Sequence, residues 1–358
     1  MNAADQLIIE DYRKQKDNFV KLGDVVHGVL AQIVRDSGVK CLSIEHRVKG
    51  EKSLMGKLIR SDGWYHNFFE LMDILGARVI CFFEDDVDVI GKEVEKSFKI
   101  DEEYSSDKRK LIRSDSFGYL SLHYICTLPE DQGYPEELLG LKFEIQIRTI
   151  LQHAWSDIEH DIGYKSAFGV PRKFVRGFAR VAGLLELADE EFVRLRDGME
   201  EYQESVHQSI IDDTADDIQL NMLSLNEFVR GNVSMRALLD EIVQICQGAE
   251  LEETDVTSYL EQLAWFDVTT IGQLSAMLER NRDLAVALAK KTLSGSELDI
   301  LSANVGLRFL CRAELLNGDY KEDKIVEFLQ LSLKGKERAQ KQAQRLLEVK
   351  KTLPGTGV

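Results

Sequence analysis

Proline is scarce: the chain of 358 residues holds four, Pro129, Pro135, Pro171 and Pro354. No proline therefore interrupts a helix between Arg172 and Leu353. Cysteine is nearly as rare, with Cys41, Cys81, Cys126, Cys246 and Cys311. The count is odd and no two stand in a C-x-x-C pair, which argues against a disulfide framework or a zinc ribbon and for reduced thiols. No apolar run reaches transmembrane length, so no membrane partner is expected. Met1 to Arg13 is polar and acidic, so no secretory signal is read there and the expected location is cytoplasmic. Positive charge is also in deficit, with 45 Lys and Arg against 62 Asp and Glu, a net charge of −17. That balance opposes binding of the whole molecule to a nucleic-acid backbone but leaves room for a local basic pocket.

What is present is a globular composition, 44% hydrophobic and 30% charged, on a length that suits two domains. The first half alternates. Helical periods run from Asp17 to Ser37, Ser53 to Arg60, Phe68 to Leu75, Leu151 to Lys165 and Arg172 to about Gln208. Strand patterns fall at Lys40 to Lys49, Gly76 to Phe83, Tyr119 to Thr127 and Leu141 to Arg148. The second half keeps helical spacing throughout, as in Leu238, Leu239, Ile242, Val243 and Ile245. The acidic stretch around Asp212 to Asp217 marks a boundary, giving domains 1–210 and 211–358, the second expected to be all-α with a basic last helix, Lys334 to Lys351.

Several patterns could carry chemistry. In LKFEIQIR, Leu141, Phe143, Ile145 and Ile147 face one way and Lys142, Glu144, Gln146 and Arg148 the other. An edge or solvated strand gives such a pattern, and so does a catalytic floor. Glu45, Arg47 and Lys49 share a strand face that leads into a helix where Ser53 and Lys57 sit a turn apart. Cations and a hydroxyl at a strand–helix junction suit a polyphosphate. The stretch Gly50-Glu51-Lys52-Ser53 is not a Walker A loop, because Glu51 intervenes and the upstream glycine is missing. Asp73, read as ending a short helix before the strand that holds Arg78, is either an ordinary helix-end carboxylate or a magnesium ligand at the mouth of a sheet. Tyr119, Ser121 and His123 follow Gly118 along one strand face, where an aromatic ring could stack on a base. His153 and Asp157 lie a turn apart, but no third ligand has zinc-site spacing.

Together these segments resemble the RelA/SpoT synthetase domain, which makes guanosine tetra- and pentaphosphate. The resemblance rests on Arg47, Lys49, Ser53 and Lys57; on Asp73, Gly76 and Arg78; on Gly118, Tyr119, Ser121 and His123; on Glu144, Gln146, Arg148 and Thr149; and on Glu159, His160, Tyr164 and Lys165, in that order. It spans about residues 15 to 205 and implies an α/β (α+β) fold: a nucleotidyltransferase-like mixed sheet flanked by helices, here followed by the all-α domain.

It further implies that ATP gives its β,γ-diphosphate to the 3′-hydroxyl of GDP or GTP. Arg47, Lys49, Ser53, Lys57 and Arg78 would bind ATP. Tyr119, Ser121, His123, Gln146, Arg148, His153 and Lys165 would bind the acceptor. Asp73 and Glu144 would hold Mg2+ and act in catalysis. Two departures border the acceptor pocket: Leu120 stands where Arg or Gln is usual, and Lys108 to Ser116 lacks a Pro-Asn-Gly lead-in. They leave the acceptor open and keep pyrophosphorylation of the tRNA 3′ end in view as an alternative; an inactive nucleotide-sensing scaffold is a further alternative of a different class. A homo-oligomer is a further partner the sequence admits.

Overall fold

The computed structural model describes residues 3–61, 63–107, 121–164, 172–246, 249–252, 254, 256–294, 298–318 and 320–352. Its contacts divide the chain into two compact units, Met1–Arg196 and Asp197–Val358.

The first unit is a mixed sheet with helices on its apolar face. Helix α1 (Ala3–Ser37) starts well before the expected Asp17. Its buried positions Phe19, Leu22, Val26, Leu30 and Ile33 recur at helical spacing, and Ile8 and Tyr12 continue the same stripe upstream. Strand β1 (Cys41–Val48) leads through Gly50 into α2 (Glu51–Ser61), whose Ser53 and Leu54 amides donate to the Gly50 carbonyl at 2.9 and 3.0 Å. Strand β2 (Leu75–Cys81) leads into α3 (Glu84–Ser97), a helix the periodicity had not marked. Short strands β3 (Lys99–Ile100) and β4 (Ser106–Asp107) precede β5 (Leu122–Thr127) and β6 (Phe143–Thr149). Helix α4 (Ile150–Tyr164) follows β6 directly. A capping box makes that junction: the Gln152 amide donates to Thr149 Oγ1 at 3.1 Å, and the Thr149 amide to Gln152 Oε1 at 3.0 Å. Thr149 Oγ1 in turn donates to the buried Asp189 of α5 (Arg172–Ile211) at 2.6 Å.

The strand order is β1-β2-β6-β5-β3, with β4 also paired to β5. Among the described residues of this sheet only β2 and β6 run parallel; the other pairs are antiparallel. Strand β6 is thus interior, and the solvated-edge reading of LKFEIQIR is corrected: its polar face is a floor, while Phe143, Ile145 and Ile147 are wholly buried below it. Leu75, Ala77 and Val79 of β2 add to that apolar face, which packs against α1 and α3. A second correction concerns Phe68 to Leu75. Only Phe68–Glu70 is helical, as a single 3-10 turn capped by the Asn67 side chain. Leu71 is already extended, so Asp73 sits in the turn before β2 and not at a helix end.

The second unit is helical: α6 (Met222–Gly231), α7 (Val233–Ile245), α8 (Ser258–Trp265), α9 (Ile271–Leu293), α10 (Val305–Asn317), α11 (Glu322–Gln330) and α12 (Lys336–Lys350). A parallel pair of three-residue strands, β7 (Glu250–Glu252) and β8 (Ile300–Ser302), accompanies them. Phe228, Leu238, Leu274, Phe309, Leu310 and Phe328 form its core. Among the described residues no helix is long and apolar enough to cross a membrane.

Candidate active site

Sheet register assembles the site. Residues directly opposed across strands share a face. One row across the polar face is Glu45, Arg78, Gln146 and His123; the next is Arg47, Gly76 and Glu144. A Cβ on Gly76 would meet nothing within 4 Å, so the middle of the second row is open space between Arg47 and Glu144. That opening belongs to a pocket of about 350 Å³ lined by Arg47, Lys49, Ser53, Asp73, Arg78, Glu144 and Gln146 among others.

The cations and carboxylates are interlocked. Lys57 Nζ donates to Asp73 Oδ1 at 2.7 Å and Lys49 Nζ donates to Asp73 Oδ2, so one carboxylate spans two ammonium groups. Burial would push the Asp73 carboxyl up, but the hydrogen bonds from Lys49 and Lys57 outweigh it and hold the group below its ordinary value. Lys57 shows the mirror effect: burial pulls it down, yet Asp73 leaves it above its ordinary value. Its ammonium also sits 5.2 Å from the Tyr65 ring centroid. The Lys49 backbone is pinned from below, where the buried Tyr12 hydroxyl donates to its carbonyl at 2.7 Å. Sequence reasoning found neither Tyr12 nor Tyr65; Tyr12 sits 37 positions from Lys49 and no local pattern marks it.

Glu144 is the second anchor. Its Oε1 lies 2.7 Å from His123 Nδ1, and its Oε2 accepts from Gln146 Nε2 at 3.0 Å. His123 Nε2 lies 2.8 Å from Ser121 Oγ. A neutral imidazole with its proton on Nδ1 satisfies both contacts, donating to Glu144 and accepting from Ser121. Burial pushes the Glu144 carboxyl up, but the His123 and Gln146 bonds overcome it and keep the group below its ordinary value. The Asp73 charge acts the other way on Glu144, so the two carboxylates feel each other across the pocket.

Arg148 lies deeper still, 2% exposed, with Nε and one Nη buried and unpartnered. Burial first, and the Arg78 cation second, bring its guanidinium down to about 10. His153 is peripheral: its Nδ1 is 3.8 Å from Asp157, whose charge in turn acts on Arg148. Tyr119, Lys165, Leu120 and the 108–116 stretch lie outside the described residues. Among the described residues no group of three His, Cys, Asp or Glu could hold a metal ion.

A mixed sheet covered by helices on one face, with cations set against two carboxylates on the other, suits a protein that handles phosphorylated nucleotides. The family is specific: this chain belongs to the RelA/SpoT family, and the model of a region found in RelA and SpoT proteins matches residues 46–168. The GTP pyrophosphokinase YwaC of Bacillus subtilis is 31% identical over 165 residues, 43% of this chain and 74% of that protein. The GTP pyrophosphokinase YjbM of the same organism is 29% identical over 160 residues, 44% of this chain and 72% of that one. The crystal structure of small alarmone synthetase 1 from Bacillus subtilis is similar at 22% identity and a TM-score of 0.45, covering 54% of this chain and 99% of that chain.

Proposed function

We propose that this protein is a GTP pyrophosphokinase, which moves the β,γ-diphosphate of ATP to the 3′-hydroxyl of a guanosine nucleotide and makes (p)ppGpp. The observation that carries the reading is the pocket in which Arg47, Lys49 and Arg78 gather with Asp73 and Glu144 around the space left by Gly76. The names of YwaC and YjbM support the same class of reaction.

Pyrophosphoryl transfer needs alignment and charge neutralisation more than covalent help. Arg47, Lys49, Lys57 and Arg78 supply the positive wall for the ATP phosphates, and Ser53 adds a donor where α2 begins. The acceptor oxygen attacks the β-phosphorus, the bond to the α-phosphate oxygen breaks, and AMP leaves. Glu144 is held ionised and so can take the proton of the attacking hydroxyl. The Nδ1 contact from His123 fixes the orientation of that carboxylate. Arg148, with unsatisfied donors beside Arg78, suits an acceptor phosphate.

Asp73 and Glu144, two hard carboxylates lining one pocket, would hold magnesium once bound phosphate draws the Lys49 and Lys57 ammonium groups away from Asp73. When bound there, the ion would neutralise charge on the transferred group.

The test supplies ATP labelled at the β-phosphate together with GDP, GTP or uncharged tRNA. Label on GDP or GTP is expected. Label only on tRNA, or on none of them, would overturn the reading.

A further inference from the structure

Lys57 has a second neighbour besides Asp73, and the chemistry of the pocket gives that neighbour a task. The Tyr65 ring centroid lies 5.2 Å from the Lys57 ammonium, inside the roughly 6 Å over which an aromatic ring attracts a cation. Burial pulls Lys57 down, the Asp73 carboxylate lifts it, and the Tyr65 side chain adds to the lift. Tyr65 thus favours the charged ammonium over the neutral amine.

The loop that carries Tyr65 is fixed on both sides. The Trp64 amide donates to the Ser61 carbonyl at 3.0 Å, which closes a turn as the chain leaves α2. The His66 amide donates to Glu70 Oε2 at 2.7 Å, and the Asn67 side chain to Glu70 Oε1 at 2.5 Å. Phe68 is buried and anchors the far end in the core, edge-on to Phe19 of α1 with the ring centroids 6.0 Å apart. Trp64 is exposed, whereas Tyr65 packs against the core of the first unit. The Tyr65 ring is therefore already in place beside Lys57, and no ordering of a loose side chain has to accompany binding.

Asp73 is shared by the Lys49 and Lys57 ammonium groups. A phosphate chain entering the pocket competes with the carboxylate for both cations. Lys57 then has to exchange one anion for another on a flexible four-carbon stem with many rotamers. Its side chain is 27% exposed, so an ammonium that drifts back along the stem loses water without gaining a partner. A ring that attracts the cation while leaving its donors free suits such an exchange, since the ring does not compete with phosphate oxygens for hydrogen bonds.

We propose that Tyr65 is a positioning residue for ATP: its ring holds the Lys57 ammonium in the pocket as bound phosphate draws that ammonium off Asp73. The identity of the ligand rests on the pyrophosphokinase reading, and Tyr65 acts through Lys57 with no contact to the reacting atoms.

Binding tests this apart from turnover. The full chain, with magnesium present, is titrated with an ATP analogue whose α- and β-phosphates are joined through a methylene group, so that the diphosphate cannot leave, and Kd is read by calorimetry. Tyr65→Leu should raise that Kd by about fivefold, as loss of one partly desolvated cation–ring contact does. Tyr65→Phe keeps the ring and should stay within about twofold of the unchanged chain. If Tyr65→Leu does not fold, Tyr65→Met takes its place. Two readouts separate positioning from packing. In a Lys57→Met background, Tyr65→Leu should change Kd no further. The Kd for GDP should be the same with Tyr65 or Leu. The proposal fails if the unchanged chain does not bind the analogue, if Tyr65→Leu leaves its Kd unaltered, if Tyr65→Phe loses as much as Tyr65→Leu, or if the loss persists without Lys57 or extends equally to GDP. Absence of label transfer by the unchanged chain, measured separately, would sink the pyrophosphokinase reading and leave the binding result standing.

Discussion

Exchanging Glu144 for Gln separates chemistry from architecture at the centre of the first pocket. The side chain keeps its size and loses its charge. Glu144 engages His123 at 2.7 Å and Gln146 at 3.0 Å. The new amide can still accept from one of them and can donate to the other if the Gln146 amide turns over. Hydrogen bonds to a charged group contribute about 1.5–3 kcal/mol and neutral ones about 0.5–1.5 kcal/mol, so the exchange loses roughly 1 kcal/mol per contact. Relief of a half-buried carboxylate, and of its repulsion with Asp73, works in the opposite direction. The net change in stability should therefore stay within about 1–2 kcal/mol. Activity has no such compensation. A lost general base costs about 10²–10⁴-fold. Losing half of the carboxylate pair proposed for magnesium adds to it, so transfer should fall by at least ~10³-fold, about 4 kcal/mol of barrier. Thermal unfolding and transfer of β-labelled phosphate to GDP, measured on the same preparation, check both halves. A folded Glu144→Gln protein that keeps a tenth or more of the wild-type rate would refute the role assigned to this carboxylate.

Two further outcomes follow from the ion pairs. Lys49→Ala and Lys57→Ala should each weaken ATP use by about 10–100-fold, and the double variant should fall short of the product, because both ammonium groups grip the Asp73 carboxylate and would grip one phosphate chain; steady-state kinetics over an ATP series will show it, and small independent losses would mean a solvated charge group. Asp101 accepts from Lys142 at 2.7 Å, and that bond holds its carboxyl below the ordinary 3.8. A carboxylate with a depressed folded value stabilises above its unfolded value and loses that contribution as pH falls through the folded one. The stability gap between wild type and Asp101→Asn should thus be present at neutral pH and close below 3.8, as read by urea unfolding across pH; a gap unchanged in acid would refute the pairing.

Much of the site was readable because β-structure converts sequence spacing into position. Alternation along β6 sets Glu144, Gln146 and Arg148 apart from Phe143, Ile145 and Ile147, and the register lays Glu144 beside Gly76, itself beside Arg47. Alternation could not say whether β6 was an edge, since that depends on which strands pair with it across long stretches of chain. The reading of a helix over Phe68 to Leu75 failed for a local reason. The apolar spacing was there, but the Asn67 cap supports one 3-10 turn and Leu71 is already extended toward β2. Tyr12 stayed invisible because α1 offers many equivalent apolar positions, and only the fold selects the one whose hydroxyl meets the Lys49 carbonyl.

Arg148 makes the same point from the other side. On an alternating strand it reads as one polar residue among several. In the fold it is 2% exposed, with Nε and one Nη sealed from solvent and unpartnered among the described residues. That property depends on what packs around the side chain and not on its spacing. Unsatisfied donors cost about 1–3 kcal/mol for a buried group and more for a charged one. A core could avoid that penalty with Leu or Met, which is why the proposed acceptor-phosphate role suits an arginine at this place.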